Sequence, residues 1–298
     1  MSRIHEALKK AEQERAASQG GVVDASSVGE MPARDSVAIN TAPVQAPAFS
    51  NQFTYDALLA RCPQCSWHPE EKTMLFFSSQ EHLHGMEQFR TLRSRLYQLR
   101  EKLPLKKLLV SSSLPKEGKS FVAANLAQVM VKQHGRRVLL IDGDLRGSRL
   151  HSALGTDYAP GLSDYLMGDR DEFSIMQRGP MENLFFIAAG RQISSPAELV
   201  ANGRLKFLLN RVESLFDWII LDSPPAMPVS DASLLANFCD GVLLVVRSNV
   251  TPSDVARKVR QEFRDKQLVG VVLNGVDAES SAYSRYYYGY EEAAESKR

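Results

Sequence analysis

Six short apolar runs with helix-patterned segments between them limit this chain to few architectures. They are Leu108–Ser112, Val138–Asp142, Leu184–Ala188, Trp218–Asp222, Val242–Val246 and Leu268–Leu273. Alternation of strands and helices predicts an α/β fold, a mostly parallel sheet with helices on both faces. Such sheets bind ligands outside the carboxyl ends of their strands. The polar residues that follow these runs are therefore the first place to look for chemistry.

The alternating pattern places one domain at residues 70–276. Ahead of its first strand, residues 83–101 predict a basic helix with Met86, Phe89, Leu92, Leu96 and Leu99 at helical spacing. Residues 1–16 carry a short amphipathic helix, with Ile4, Leu8 and Ala11 on one face. That helix is either a functionless terminus or a docking element. Residues 17–52 are rich in Ala, Ser, Gly, Pro and Val without period and read as a flexible linker. The 36 Lys+Arg against 35 Asp+Glu leave a net charge of +1, which makes no case for a nucleic-acid partner. That total still leaves room for a local basic patch. Three cysteines are too few for a disulfide framework and fit a reducing compartment. No apolar run approaches the roughly 18 residues of a membrane span, and residues 1–15 lack the apolar core of a secretory signal. The expectation is a cytoplasmic protein that reaches a membrane only through something else.

Three strand ends carry a phosphate and metal constellation. After the first run comes Ser112-Ser113-Leu114-Pro115-Lys116-Glu117-Gly118-Lys119-Ser120, followed by the helix-like run Phe121–Val131. A loop between strand and helix can aim successive backbone N–H groups at phosphate oxygens, aided by the helix N-terminus. Gly118 lets the backbone approach closely, Lys119 can reach the outer phosphates, and the Ser120 hydroxyl can bind Mg²⁺. Ser113 replaces the first glycine of the usual P-loop pattern. Taken alone, the segment also fits a Ser/Gly turn that caps a helix. The second strand ends in Asp142-Gly143-Asp144-Leu145-Arg146, and the fourth in Asp222-Ser223-Pro224-Pro225. A single carboxylate at a strand tip is usually a solvated turn residue, but these tips occur in the order that a nucleotide fold requires. Mg²⁺ takes oxygen ligands and retains several waters, so Ser120, Asp142 and Asp222 are its candidate ligands, directly or through water.

With these motifs in place, residues from about 80 onward resemble the bacterial tyrosine autokinases of capsule and exopolysaccharide systems. Asp142-x-Asp144-x-Arg146 is similar to that family's second Walker-type motif. Pro115-x-Glu117-Gly118-Lys119-Ser120 and Asp222-Ser223-Pro224-Pro225 are similar to its first and last. Glu87-x-x-Arg90-x-x-Arg93 resembles its ring-assembly motif, and Ser195-Pro196-Ala197-Glu198-Leu199 matches a further segment. Leu273-Asn274 resembles the strand end that contacts adenine. Tyr283, Tyr286, Tyr287, Tyr288 and Tyr290 resemble its C-terminal tyrosine cluster, in a tail at 277–298. The resemblance implies a P-loop NTPase fold, ATP and Mg²⁺ as cofactors, and an ATP site that includes Phe121. It also implies a homo-oligomeric ring and a transmembrane polysaccharide chain-length or co-polymerase activator as partner. The chain looks like the separate cytoplasmic type, peripheral to the inner membrane through that partner.

Two functions follow. The first is phosphoryl transfer from ATP to tyrosine. Lys119 and the loop amides hold phosphates, Asp142 or Asp144 accepts or orients the phenol proton, and Arg146 stabilises charge or organises Asp144. The tail follows the last strand too closely to enter its own site easily, so transfer to a neighbouring subunit is expected. Each added phosphate brings about −1.5 to −2 charge, so a modified tail is expected to leave its docking site. The second is a conformational ATPase switch without kinase activity, like the partition and septum-positioning ATPases. Those carry an early P-loop lysine where this chain has Leu114, with Lys116 at another offset. Cys62-x-x-Cys65 with His68 hints at zinc, but no second Cys/His pair has suitable spacing beyond His82 and His84, so zinc is disfavoured. Cys239 reads as buried, and His134 and His151 as surface or packing residues.

Overall fold

The computed structural model describes residues 53–77, 83–133 and 135–276. The expected N-terminal helix and linker, the tyrosine cluster from Tyr283 to Tyr290, His82 and His134 lie outside the described residues.

The chain runs α1 (Tyr55–Arg61), α2 (Leu83–Arg100), β1 (Lys107–Ser112), α3 (Lys119–Val131), β2 (Val138–Asp142), α4 (Leu150–Leu154) and α5 (Leu162–Met167). It continues through β3 (Met176–Arg178), β4 (Leu184–Ile187), α6 (Pro196–Ala201), α7 (Arg204–Val212), β5 (Trp218–Asp222), α8 (Asp231–Ala236), β6 (Gly241–Arg247), α9 (Ser253–Glu262) and β7 (Leu268–Asn274). The sheet has the order β3-β4-β2-β5-β1-β6-β7. Every neighbouring pair is parallel except β3 with β4. All six apolar runs are strands. The seventh, β3, is an antiparallel edge of three residues that no periodicity marks.

Alternate residues of the central strands serve two apolar layers. Leu109, Leu139, Ile141, Ile219 and Leu221 pack with α5 to α9 on one face. Leu108, Val110, Leu140, Trp218 and Ile220 pack with α2 and α3 on the other. Helix α3 is buried from Val122 to Val131, and its alanines let it lie close to the sheet. Its two buried polar residues are used to hold residues 73–76. Asn125 accepts from Leu75 N at 2.9 Å and donates to Thr73 O at 2.7 Å, and Gln128 accepts from Phe76 N at 3.2 Å.

The body therefore begins earlier than residue 70. Leu58, Cys62 and Trp67 are buried in the two cores, and the Tyr55 hydroxyl donates to Asn183 at 2.6 Å. Burial pushes the Cys62 thiol up to about 12, which suits a packed cysteine rather than a reactive one. Among the described residues, no three His, Cys, Asp or Glu side chains gather into a ready-made metal cage. Cys239 is half-buried, with its thiol donating to Leu235 O at 3.5 Å. Among the described residues, no helix is long and apolar enough to cross a membrane.

Candidate nucleotide and phosphoryl-transfer site

The loop between β1 and α3 is held from outside by the far end of the sheet. Arg247, closing β6, donates to Lys116 O at 3.0 Å, and Asn274, closing β7, donates to Glu117 O at 2.9 Å. The Glu117 carboxylate accepts from Leu114 N at 2.7 Å and from the Thr251 hydroxyl. Lys116 sits at φ 67° and Gly118 at φ 95°. Lys116 tolerates this conformation because its carbonyl is anchored. At Gly118 a Cβ would lie 2.0 Å from Asn274 Nδ2, so only glycine fits. The loop's carbonyls and carboxylate are thus occupied while its amides from Lys116 onward are not. Among the described residues, no hydrogen bond engages the N–H groups of Lys116, Glu117, Gly118, Lys119, Ser120 or Phe121. A run of unused donors at a helix N-terminus is the chemistry of an anion cradle. Phe121 is half-buried, its ring packing 5.7 Å from that of Phe89. Asn274 meets the loop itself.

The strand tips bring three carboxylates to this loop. Asp142, Asp144 and Asp222 are buried. The ends of β2 and β5 are knit by Gly143 N donating to Asp222 O at 2.8 Å, and a Cβ on Gly143 would lie 2.6 Å from that oxygen. Lys119 Nζ lies 3.0 Å from Asp144 Oδ2 and 3.8 Å from Asp222 Oδ2. The Ser120 hydroxyl donates to Asp222 Oδ2. Burial alone would lower the pKa of Lys119, but Asp222 and Asp144 outweigh it and hold the amine charged. Burial, reinforced by Asp222 and Asp144, holds Asp142 well above the usual carboxylate range. Burial raises Asp222 as well, against the pull of Lys119 and the Ser120 hydroxyl. One lysine for three buried carboxylates leaves an excess of negative charge, which a divalent cation would relieve. Asp222 Oδ1 is buried without a hydrogen-bond partner among the described residues, which fits a ligand or a water at that oxygen. With so few protein ligands converging, the site suits Mg²⁺, which retains water and phosphate ligands.

Asp142 is fixed by three donors. Asp144 N reaches its Oδ1 at 3.2 Å, while the Ser148 hydroxyl at 2.7 Å and Leu150 N at 3.3 Å reach Oδ2. Ser148 also lies 2.9 Å from His151 Nδ1. The hydroxyl has one hydrogen, so when ionised Asp142 takes it, His151 Nδ1 must carry a proton and donate. His151 thus belongs to the support of Asp142 and is more than a packing residue. Its spacing from Asp142 gave no sign of this.

Arg146 differs from expectation. Its guanidinium grips Asp231, Nε to Oδ2 at 2.7 Å and Nη2 to Oδ1 at 3.1 Å, rather than organising Asp144. Asp231 opens α8 and is buried, so it needs a cation, and Arg146 supplies one in a fork geometry. On α2 the three expected residues have partners within the chain. Glu87 and Arg90 pair with each other, and Arg93 donates to Val129 O at 2.9 Å near the end of α3.

An amide-lined loop after β1, with a lysine and strand-tip carboxylates facing it, defines a P-loop nucleotide-binding domain. A family model described as an AAA domain matches residues 116–254. The chain is 34% identical over 206 residues to the tyrosine-protein kinase YwqD of Bacillus subtilis, covering 68% of this chain and 86% of YwqD. It is 34% identical over 212 residues to EpsB of Ralstonia nicotianae, covering 68% of this chain and 28% of EpsB, so it spans under a third of that longer relative. The solved kinase domain of the Escherichia coli tyrosine kinase ETK superposes with a TM-score of 0.63 at 29% identity, covering 66% of this chain and 78% of that one. The chain belongs to the family of bacterial tyrosine kinases.

Proposed function

We propose that this protein is an ATP-dependent tyrosine autokinase that modifies Tyr283, Tyr286, Tyr287, Tyr288 and Tyr290 of a neighbouring copy. Through that cycle it regulates polymerisation and export of an exopolysaccharide or capsule, alongside a transmembrane co-polymerase partner at the inner membrane. The observation that carries the reading is Lys119, held between Asp144 and Asp222 at the mouth of an unused run of backbone donors.

The amides of residues 116–121 bind phosphate oxygens, and Lys119 leaves its carboxylate partners to follow the transferring group. Ser120, Asp142 and Asp222 would hold Mg²⁺. When bound, that ion neutralises phosphate charge and polarises the phosphoryl group. The phenol proton passes to the Asp142–Asp144 pair. Asp142 is held above the usual carboxylate range by burial and by Asp222, as a general base needs. Ser148 and Leu150 keep its carboxylate aimed. Arg146 acts by holding α8 through Asp231.

Lys119→Met tests the site. The variant is expected to fold, with a lowered melting point because Asp144 and Asp222 lose their cation, and to give no signal on an anti-phosphotyrosine blot of the purified protein. Undiminished phosphotyrosine in that variant would overturn the assignment.

A further inference from the structure

The net charge of +1 conceals a polarised molecule. The carboxylates of Asp142, Asp144, Asp222 and Asp231 gather at the carboxyl ends of the strands. The opposite end collects cations from three places, the last turns of α2 with the loop into β1, the end of α3, and the start of β2. Lys107 is neutralised by Glu213 at 2.6 Å and Asp240 at 3.4 Å, and Arg136 by Asp217 at 2.9 Å. Arg95, Arg100, Lys102, Lys106, Lys132 and Arg137 have no carboxylate within ion-pair distance among the described residues. Cations at helix C-termini offset the helix dipole, which accounts for Arg100 and Lys132 but not for the rest. The end is contiguous, because Arg100 lies 5.0 Å over the Trp218 ring, Tyr97 packs edge-on to the same ring, and Arg136 lies over Tyr97.

We propose that this amino end of the sheet is a docking surface for anionic lipid headgroups. A broad array of unneutralised Lys and Arg matches a negatively charged leaflet, to which each cation adds attraction within a Debye length. The aromatic rings at this end favour lipid over nucleic acid. Trp218 is fully buried, and Tyr55 lies beneath Arg137 at 3.6 Å, so neither offers a face for base stacking. Docked this way, the molecule turns its phosphate site away from the membrane, open to solvent and to neighbouring copies. The inference stands on charge placement and does not depend on the kinase reading.

The test is co-sedimentation of the full chain at low salt with two kinds of vesicle, pure phosphatidylcholine and an equal mixture of phosphatidylcholine and phosphatidylglycerol. The probe variant is Arg95→Glu/Lys102→Glu/Lys132→Gln, at three exposed positions away from the phosphate site. The control is Lys258→Gln/Arg260→Gln on α9, which lowers net charge elsewhere. Wild type and control are expected to pellet only with the anionic vesicles, and less as salt is raised. The probe variant is expected to partition at least about tenfold more weakly. Equal pelleting of probe and wild type would overturn the proposal, as would equal loss in the control or equal binding to neutral vesicles. Tighter retention on a mixed-sequence single-stranded RNA than on anionic vesicles would also overturn it. Should the triple variant fail to show the wild-type melting transition, Lys102→Glu and Arg95→Glu alone are each expected to weaken pelleting, and no change in either would count against the surface.

Discussion

Asp142 and Asp222 are held out of water at adjacent strand ends, and ionising both places two negative charges beside a third, Asp144. Their folded-state pKa values lie above the unfolded value of about 4. Between those values the native state holds more protons than the unfolded chain, so stability falls as pH rises through the interval, and the full penalty applies above it. Each unit of elevation amounts to about 1.4 kcal/mol. The metal-free protein is therefore expected to lose stability at this site between about pH 5 and about pH 8. Asp142→Asn should flatten that dependence, and Mg²⁺ with nucleotide should offset it in wild type by favouring the ionised carboxylates. Urea midpoints at both pH values, in EDTA and in Mg-nucleotide, check this. Parallel pH dependence in wild type and Asp142→Asn would remove the electrostatic account. The Arg146–Asp231 pair makes a companion case. Arg146→Ala strands a buried carboxylate, so it should destabilise more than Arg146→Ala with Asp231→Ala, where the unpaired charge is gone.

At the scale of elements, α2 has two differently placed arginines. Arg93 is partly buried and donates to the Val129 carbonyl, tying α2 to α3. Arg90 is exposed and pairs with Glu87 one turn away. Arg93→Ala is expected to cost about 1–2 kcal/mol, a melting drop of about 2–8 °C for a domain of this size. Arg90→Ala should change stability by less than about 0.5 kcal/mol. Thermal melts of the two single variants check the ranking, and equal drops would refute it. This division was hidden in the sequence, where both arginines simply recur every three residues along a predicted helix. Five of the six main strands were legible because buried parallel strands read as unbroken apolar runs, the half-buried β7 because its run is apolar as well, and their carboxyl ends gave the site. What escaped depends on distant partners. Asp231 matters because Arg146 lies 85 residues before it, and α1 is held by contacts such as Tyr55 to Asn183, 128 residues apart. Ser148 and His151 were invisible because only the turn after β2 brings them under Asp142. With three edge residues, β3 is too short for any period to show.

For the whole molecule, the proposed function requires copies to meet, and α2 is the predicted meeting surface. Arg93 is already used within the chain, so Glu87 and Arg90 are the members able to exchange partners with a neighbour at little cost to the fold. Such surface pairs are individually weak, about 0–1 kcal/mol, but repeated around a ring they add, and salt screens them. The acidic end of the sheet sets the sign of the tail's effect. An unmodified tyrosine tail can approach Asp142, Asp144 and Asp222 of the next copy, whereas several phosphates on it would be repelled. Unphosphorylated protein saturated with Mg-nucleotide is therefore expected to form larger assemblies than phosphorylated protein. Glu87→Ala with Arg90→Ala should shift it towards monomer and lower autophosphorylation without lowering the melting temperature. Light scattering after size exclusion at low salt, on wild type and double variant with and without phosphatase treatment, reads this out. Equal masses in all four samples would eliminate the assembly switch while leaving the chemistry at Lys119 to its own test. A reduced mass accompanied by a lowered melting point would instead trace the effect to a damaged α2, not to a lost contact between copies.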